Sequence, residues 1–271
     1  MNNLKMFIME NITNMHVGNG DINFNIIDNE VQRDVITNFP TINPSSLKGS
    51  FREFCKNNLD EDEVTYIFGD KDTGIGKYKF FGASLLSMPV RSNVKPFFRA
   101  TCPLIIREFL DTAHNFCSIK EMLDINEIEI LLNEIDEKEG ILLSESSEEN
   151  IKGEGYDIAT IKNVNQFSDM ILSLEKIFGK DLVIFHDNIF KNIVKELPVI
   201  ARNKLENSES KNLWYEEVVP RKSKFYFGIV EDKTGDKFNK LITNNIVQFG
   251  GNATIGYGYC NIENLENILK D

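Results

Sequence analysis

From Leu4 to Ile12 the chain alternates apolar and polar side chains, a period of two that predicts a strand, closed by the glycine-containing turn HVGNGD. INFNIID, residues 22–28, predicts a second short extended stretch. The period then changes. In NPSSLKGSFREFCKN the apolar Leu47, Phe51 and Phe54 fall on one helical face, with Ser45 and Ser46 as expected caps after Pro44. Lys48, Arg52 and Lys56 step by four and share another face.

Residues 66–100 read as loops and short strands, and CPLIIREFLDTAHNF as a helix with Pro103 in its first turn. Residues 119–139 are amphipathic and predict one or two helices, residues 144–150 a polar surface loop, and residues 166–178 and 181–195 two further helices. LPVIARNKLENSESKNLWYEEVVP is extended on both sides of NSES and predicts a long hairpin over 197–220. SKFYFGIVED predicts a strand, DKFNKLITNN a short helix and YGYCNI a final strand. No internal repeat is found. The order predicts an α+β fold: a ferredoxin-like sheet in one domain, residues 1–271, with a helical insertion over 103–195.

Composition changes this picture little. At 41% hydrophobic, 271 residues suffice for a substantial core. No apolar run approaches the ~20 residues that cross a bilayer, and MNNLKMFIMEN lacks a signal pattern, so a cytoplasmic location without a membrane partner is expected. Cys55, Cys102, Cys117 and Cys260 form no CxxC pair and His16, His114 and His186 do not join them at metal-ligand spacing. Four free, packed thiols are expected, and helix packing for His114 and His186. The net charge of -12 speaks against a nucleic-acid partner, but residues 111–150 hold 2 basic and 12 acidic side chains and the remainder is near neutral. A local basic surface remains open.

Candidate chemistry begins at QFGGNATIGYGYC, residues 248–260. Gly251 to Gly256 has the spacing of a phosphate-cradling GxxxxGK[ST] loop, but Tyr257 and Gly258 stand where that loop needs Lys and Ser or Thr. A stand-alone nucleotide enzyme is therefore a poor reading. Taken together, HVGNG with IIDNEVQRD (16–34), FPTINPSSLKGSFRE (39–53), LLSMPVRS with ATCP (85–103), and LWYEEVVP with QFGGNATIGYG (213–258) resemble the backbone subunit of type III-B CRISPR RNA-silencing complexes, of the repeat-associated mysterious protein superfamily. The acidic middle is the least diagnostic part, and FFGASLL lacks an acidic residue often expected before the LL.

The resemblance implies an RNA-recognition-motif-like palm, helical fingers and a hairpin thumb at about 197–220. It implies copies stacked along a guide RNA beside other complex subunits, with thumbs that part the guide–target duplex. It further implies cleavage of target RNA by the aspartate after the first strand, matched here by Asp28, with a divalent metal such as Mg2+ or Mn2+ whose ligands are unknown. RNA carries its own nucleophile, so one carboxylate can serve by aligning and deprotonating the 2'-hydroxyl, leaving a 2',3'-cyclic phosphate. Any-sequence guide binding needs phosphate contacts, expected at the helix start with Ser45, Ser46, Lys48 and Arg52, at Arg91 and Ser92, and at the bare loop Gly250, Gly251, Asn252 and Thr254.

Each residue also has an ordinary reading. Asp28 before Asn29 suits a turn. His16 is either a strand-end histidine held by hydrogen bonds or an RNA contact near the cut, positioning being favoured over acid–base work. Lys48, Arg52 and Lys56 suit a solvated face. Trp214 and Tyr215 suit either the anchoring of the thumb or base stacking. Glu216 is either structural or a second acidic participant from a neighbouring copy. The rival to a target-RNA endonuclease is a non-catalytic RNA-binding scaffold of the same fold.

Overall fold

The computed structural model describes residues 4–20, 27–72, 74–116, 125–161, 167–206, 209–232 and 236–270. Strand β1 (Leu4–Asn11) leads to β2 (Thr41–Ile42), helices α1 (Pro44–Lys56) and α2 (Glu61–Phe68), short strands β3 (Gly69–Asp70), β4 (Gly74–Ile75) and β5 (Lys79–Phe80), then β6 (Ala83–Arg91) and β7 (Phe97–Thr101). Next come α3 (Pro103–Phe116), α4 (Ile125–Asn133), β8 (Glu139–Leu142), β9 (Lys152–Gly153), β10 (Tyr156–Thr160), α5 (Ser168–Phe178), β11 (Leu182–Phe185) and α6 (Asp187–Lys195). The hairpin β12 (Val199–Glu206) and β13 (Glu209–Glu217) precedes β14 (Lys224–Val230), α7 (Asp236–Thr243), β15 (Val247–Gln248), β16 (Tyr259–Asn264) and α8 (Leu265–Lys270). The fold is α+β.

Ten strands run in the order β15-β16-β1-β14-β6-β7-β11-β8-β10-β9, with β2 and β5 attached to β6 and β14. From β16 through β1 and β14 to β6 every pairing is antiparallel. Strand β6 joins two halves of the sheet: Ser84, Leu85 and Ser87 pair with β14, while Met88–Arg91 pair with β7. Strand β1 is buried on both faces, which is why its polar positions are so few. On one face Phe7 stacks on Phe227 at 5.3 Å, and Phe51 of α1 meets Phe227, Phe238 and Phe249. On the other, Phe109 of α3 packs edge-on against Phe178 and Tyr226. Burying a Phe contributes on the order of 2–3 kcal/mol, so these clusters dominate the core.

The sequence reading needs correction in several places. Residues 182–185 are not helical: LVIF is a fully buried strand between β7 and β8, and α6 starts at Asp187, where His186 Nδ1 accepts from Asn188 N. A four-residue apolar run carries no period to separate strand from helix. Among the described residues the region 103–195 therefore adds four strands as well as four helices, and Glu139 opens β8 rather than closing a helix. Ser45 and Ser46 do not cap α1; Asn43 holds the cap position without a side-chain bond, because Pro44 already begins the helix. His114 is exposed on α3 rather than packed. Cys55, Cys102 and Cys260 are buried free thiols, whereas Cys117 and most of the expected stretch 22–28 lie outside the described residues. Burial pushes the Cys55 thiol up to about 12. Among the described residues no helix is long and apolar enough to cross a membrane.

Candidate nucleic-acid interface and cutting site

The site assembles where the loop after β1 runs between the hairpin root and the glycine loop. His16 is the hub. Its Nδ1 lies 2.7 Å from Glu217 O, its carbonyl accepts from Gly251 N at 2.9 Å, and its Nε2 lies 3.7 Å from Glu216 Oε1. Gly250, with φ 78°, approaches so closely that a Cβ there would sit 2.2 Å from His16 O. Glycine is thus required by contact and by conformation. Asn252 takes the left-handed conformation, which Asn tolerates, at φ 63°.

Glu216 is buried yet fully engaged. Asn252 Nδ2 donates to both its carboxylate oxygens at 2.9 Å, and Arg202 Nε donates to Oε2 at 3.0 Å. Arg202 also lies over the Tyr257 ring, 4.5 Å from its centroid. The hairpin root and the glycine loop are therefore one hydrogen-bonded unit. Glu217 faces the other strip of chain: its Oε2 accepts from Val31 N at 3.0 Å, and its Oε1 pairs with Arg33. Such buried carboxylates are tolerated because each is paired and hydrogen-bonded.

Asp28 lies against this root but points outward. It is exposed; its Oδ2 accepts from Tyr215 N at 2.8 Å, and its own N–H donates to Tyr215 O at 3.1 Å. Oδ1 carries no bond among the described residues. Gln32 ties the same loop to α1, donating to Gly18 O and Ser46 Oγ and accepting from Asn43 N. Through these bonds the start of α1, residues 16–18, Gly250–Asn252 and Asp28 form one connected surface. Lys48 and Arg52 make no ion pair among the described residues, whereas Lys56 pairs with Glu53. Thr254 is exposed on the turn Ala253–Ile255, and Trp214 is half-buried opposite Arg202 in the hairpin.

Arg91 and Ser92 belong to a different place, the far end of β6. Glu154 takes Arg91 Nε and Nη2 and also its backbone N–H. Arg91 and Glu154 line a cleft of about 670 Å³ with Phe97, Tyr156 and Arg221. Sequence reasoning missed the bonds of Gln32, Arg202 and Glu217, whose partners lie 11 to 201 residues away in the chain; no local pattern announces such pairs. No group of three or more His, Cys, Asp or Glu among the described residues could hold a metal ion. Asp28 Oδ1 carries no bond among the described residues, and a single carboxylate oxygen would hold a cation only together with phosphate and water.

A large mixed sheet flanked by helices, a separate two-stranded hairpin and a connected polar surface at the hairpin root define an α+β architecture. Residues 8–261 match the RAMP superfamily model, and the chain belongs to that superfamily. It is 28% identical to the CRISPR system Cmr endoribonuclease Cmr4 of Pyrococcus furiosus, over 93% of this chain and 92% of that one. Its fold is similar to a chain of a type III-B Cmr-β complex bound to cognate target RNA, with a TM-score of 0.77, 24% identity and 98% of each chain covered. It is also similar in fold to oligomeric Cmr4 from Pyrococcus furiosus, with a TM-score of 0.69, 23% identity, and 96% of this chain and 98% of that one covered.

Proposed function

We propose that this chain is a repeated guide-RNA-binding backbone subunit of a type III-B CRISPR complex and its target-RNA endonuclease. The antiparallel order β16-β1-β14-β6, with α1 and α7 in its two crossovers, supports the ferredoxin-like palm. The segment 103–195 supplies the fingers, and the hairpin 197–220 the thumb. Guide phosphates lie along the start of α1, with Lys48 and Arg52, over Gly250 and Gly251, where no side chain obstructs the backbone, and beside Asn252 and Thr254. Other copies and the remaining subunits of the complex are its protein partners.

The observation that carries the enzymatic reading is Asp28: an exposed carboxylate fixed at the thumb root by Tyr215. Asp28 takes the proton of the 2'-hydroxyl, the 2'-oxygen bonds to phosphorus, and the bond to the 5'-oxygen breaks, that oxygen taking a proton from water. The products are a 2',3'-cyclic phosphate and a 5'-hydroxyl. In the alternative role, Asp28 would hold a divalent cation instead of taking the proton, and that ion would stabilise the charge developing on phosphorus. His16 and Glu216 position the thumb root and the glycine loop; the burial of both supports positioning over direct chemistry.

A complex reassembled with Asp28→Ala is expected to bind target and not cut it; normal cutting would leave the scaffold reading. Lys48→Ala combined with Thr254→Trp is expected to weaken assembly on guide RNA. Unchanged assembly would place the guide elsewhere.

A further inference from the structure

Gln32 stands four positions after Asp28, and it is buried, only 8% exposed. Its Nε2 donates to Gly18 O at 3.1 Å and to Ser46 Oγ at 2.9 Å, and its Oε1 accepts from Asn43 N at 2.7 Å. The backbone of the same residue is held as well: Gln32 N donates to Val17 O at 2.8 Å, and Thr41 N donates to Gln32 O at 3.0 Å. One residue thus joins the loop that carries Asp28, the strip at Val17 and Gly18, and the start of α1.

The partners dictate the chemistry of this side chain. Gly18 O can only accept and Asn43 N–H can only donate, so the group between them must offer a donor and an acceptor side by side. A primary amide does. A carboxylate would set oxygen against the Gly18 carbonyl, and a thioether would leave both backbone groups without a partner in a buried place. The core has its own anchors: α1 is seated by buried Leu47, Phe51 and Cys55, and the loop by buried Val31 and Phe39. What the amide adds is a fixed relation between helix and loop.

On its other side the loop is moored to the hairpin. Asp28 N and Asn29 N both donate to Tyr215 O, and Val31 N donates to Glu217 Oε2. From Asp28 to Gln32 the backbone spans at most about 14 Å even when fully extended, so the link between the two moorings is short. We infer that Gln32 is a positioning residue that sets the separation between guide phosphates at the start of α1 and the Asp28 carboxylate, and with it the phosphodiester at which target is cut. Gln32 can act in this way only with the guide on α1 and the cut at Asp28, as proposed above. A misplacement of about 1 Å can slow a reaction on the order of 10²-fold, so a slack link both slows the cut and admits neighbouring linkages.

The test reassembles the complex with Gln32→Met, which keeps the length of the side chain and none of its three bonds, and resolves the products of an end-labelled target to the nucleotide. Guide assembly and target affinity should be retained, while the single-turnover rate falls at least ~10-fold and the product ends spread to adjacent linkages. Cutting at the unsubstituted rate and position would overturn the inference. So would a slower cut that stays at the original linkage, or a rate that added guide RNA restores. Should the Met variant not assemble, Gln32→Glu, which keeps an acceptor for Asn43 N and loses the donor to Gly18 O, decides: spread ends support the role and unchanged ends overturn it. An unsubstituted complex that does not cut, or that cuts equally well with Asp28→Ala, would overturn the endonuclease reading itself.

Discussion

Asp28 and Tyr215, far apart in the chain, exchange two hydrogen bonds: Tyr215 N donates to Asp28 Oδ2 at 2.8 Å and Asp28 N donates to Tyr215 O at 3.1 Å. The pair fastens a solvent-facing carboxylate to the root of the hairpin. Both bonds use the Tyr215 backbone, and the side chain itself is exposed. Tyr215→Ala is therefore expected to keep the position of Asp28 while removing ring contact with bases, and Tyr215→Pro, which deletes the N–H, to disturb it. Cleavage rates of the two variants check this: a Pro variant as active as the Ala variant would contradict it.

Glu216 ties Arg202 to Asn252, and its removal leaves a guanidinium facing a buried site without its counter-charge. Breaking such a pair costs about 3 kcal/mol, which for a chain of this size lowers the thermal midpoint by roughly 6–12 °C. Glu216→Ala should show that drop in a melting curve. Glu216→Gln should lose less, because its amide oxygen still accepts from Asn252 Nδ2.

Neighbouring glycines of the loop should behave differently. Gly250→Ala meets His16 O and a positive φ, so it should destabilise the fold by more than ~1 kcal/mol. Gly251 has only His16 O at 4.0 Å, so Gly251→Ala should fold normally and act, if anywhere, on guide binding. Denaturant midpoints separate the two cases; equal midpoints would contradict the contact.

Acid should loosen the sheet at Glu10. Burial raises its carboxyl, but Arg99 and Lys222 outweigh that and hold it below the ordinary 4.5. A carboxylate lowered in the folded state contributes stability above its unfolded value, and that contribution is lost as pH falls from about 4.5 through the lower folded value. Glu10→Gln should flatten that acid limb in urea midpoints measured between pH 3 and 7. An unchanged limb would remove Glu10 from the account.

How much of this was legible in the sequence follows from period and distance. The apolar run of β1, the helical face of Leu47 and Phe51, the hairpin around NSES and the helix at Phe238 all carried their own signal, although β1 is buried on both faces rather than alternating as expected. LVIF did not, being too short to hold a period and buried on both faces. At the site, Asp28 sits in a stretch that suits a turn, and only the resemblance singled it out. Glu216 read as either structural or a second acidic participant, with nothing local to choose between them. Its neutralising partners, Arg202 across the hairpin and Asn252 in the glycine loop, are brought to it by folding. Arg91 was legible as a cation, but not that Glu154 already occupies its guanidinium.

The central claim is that Asp28 promotes the cut, and the direct measurement is single-turnover cleavage of bound target by complexes carrying Asp28→Asn. The substitution keeps the side chain's shape and an oxygen for Tyr215 N–H while removing the proton acceptor. A fall in rate of roughly 10²–10⁴-fold is expected, with target affinity retained and the residual product ending in a 2',3'-cyclic phosphate. Cleavage at the unsubstituted rate would contradict it.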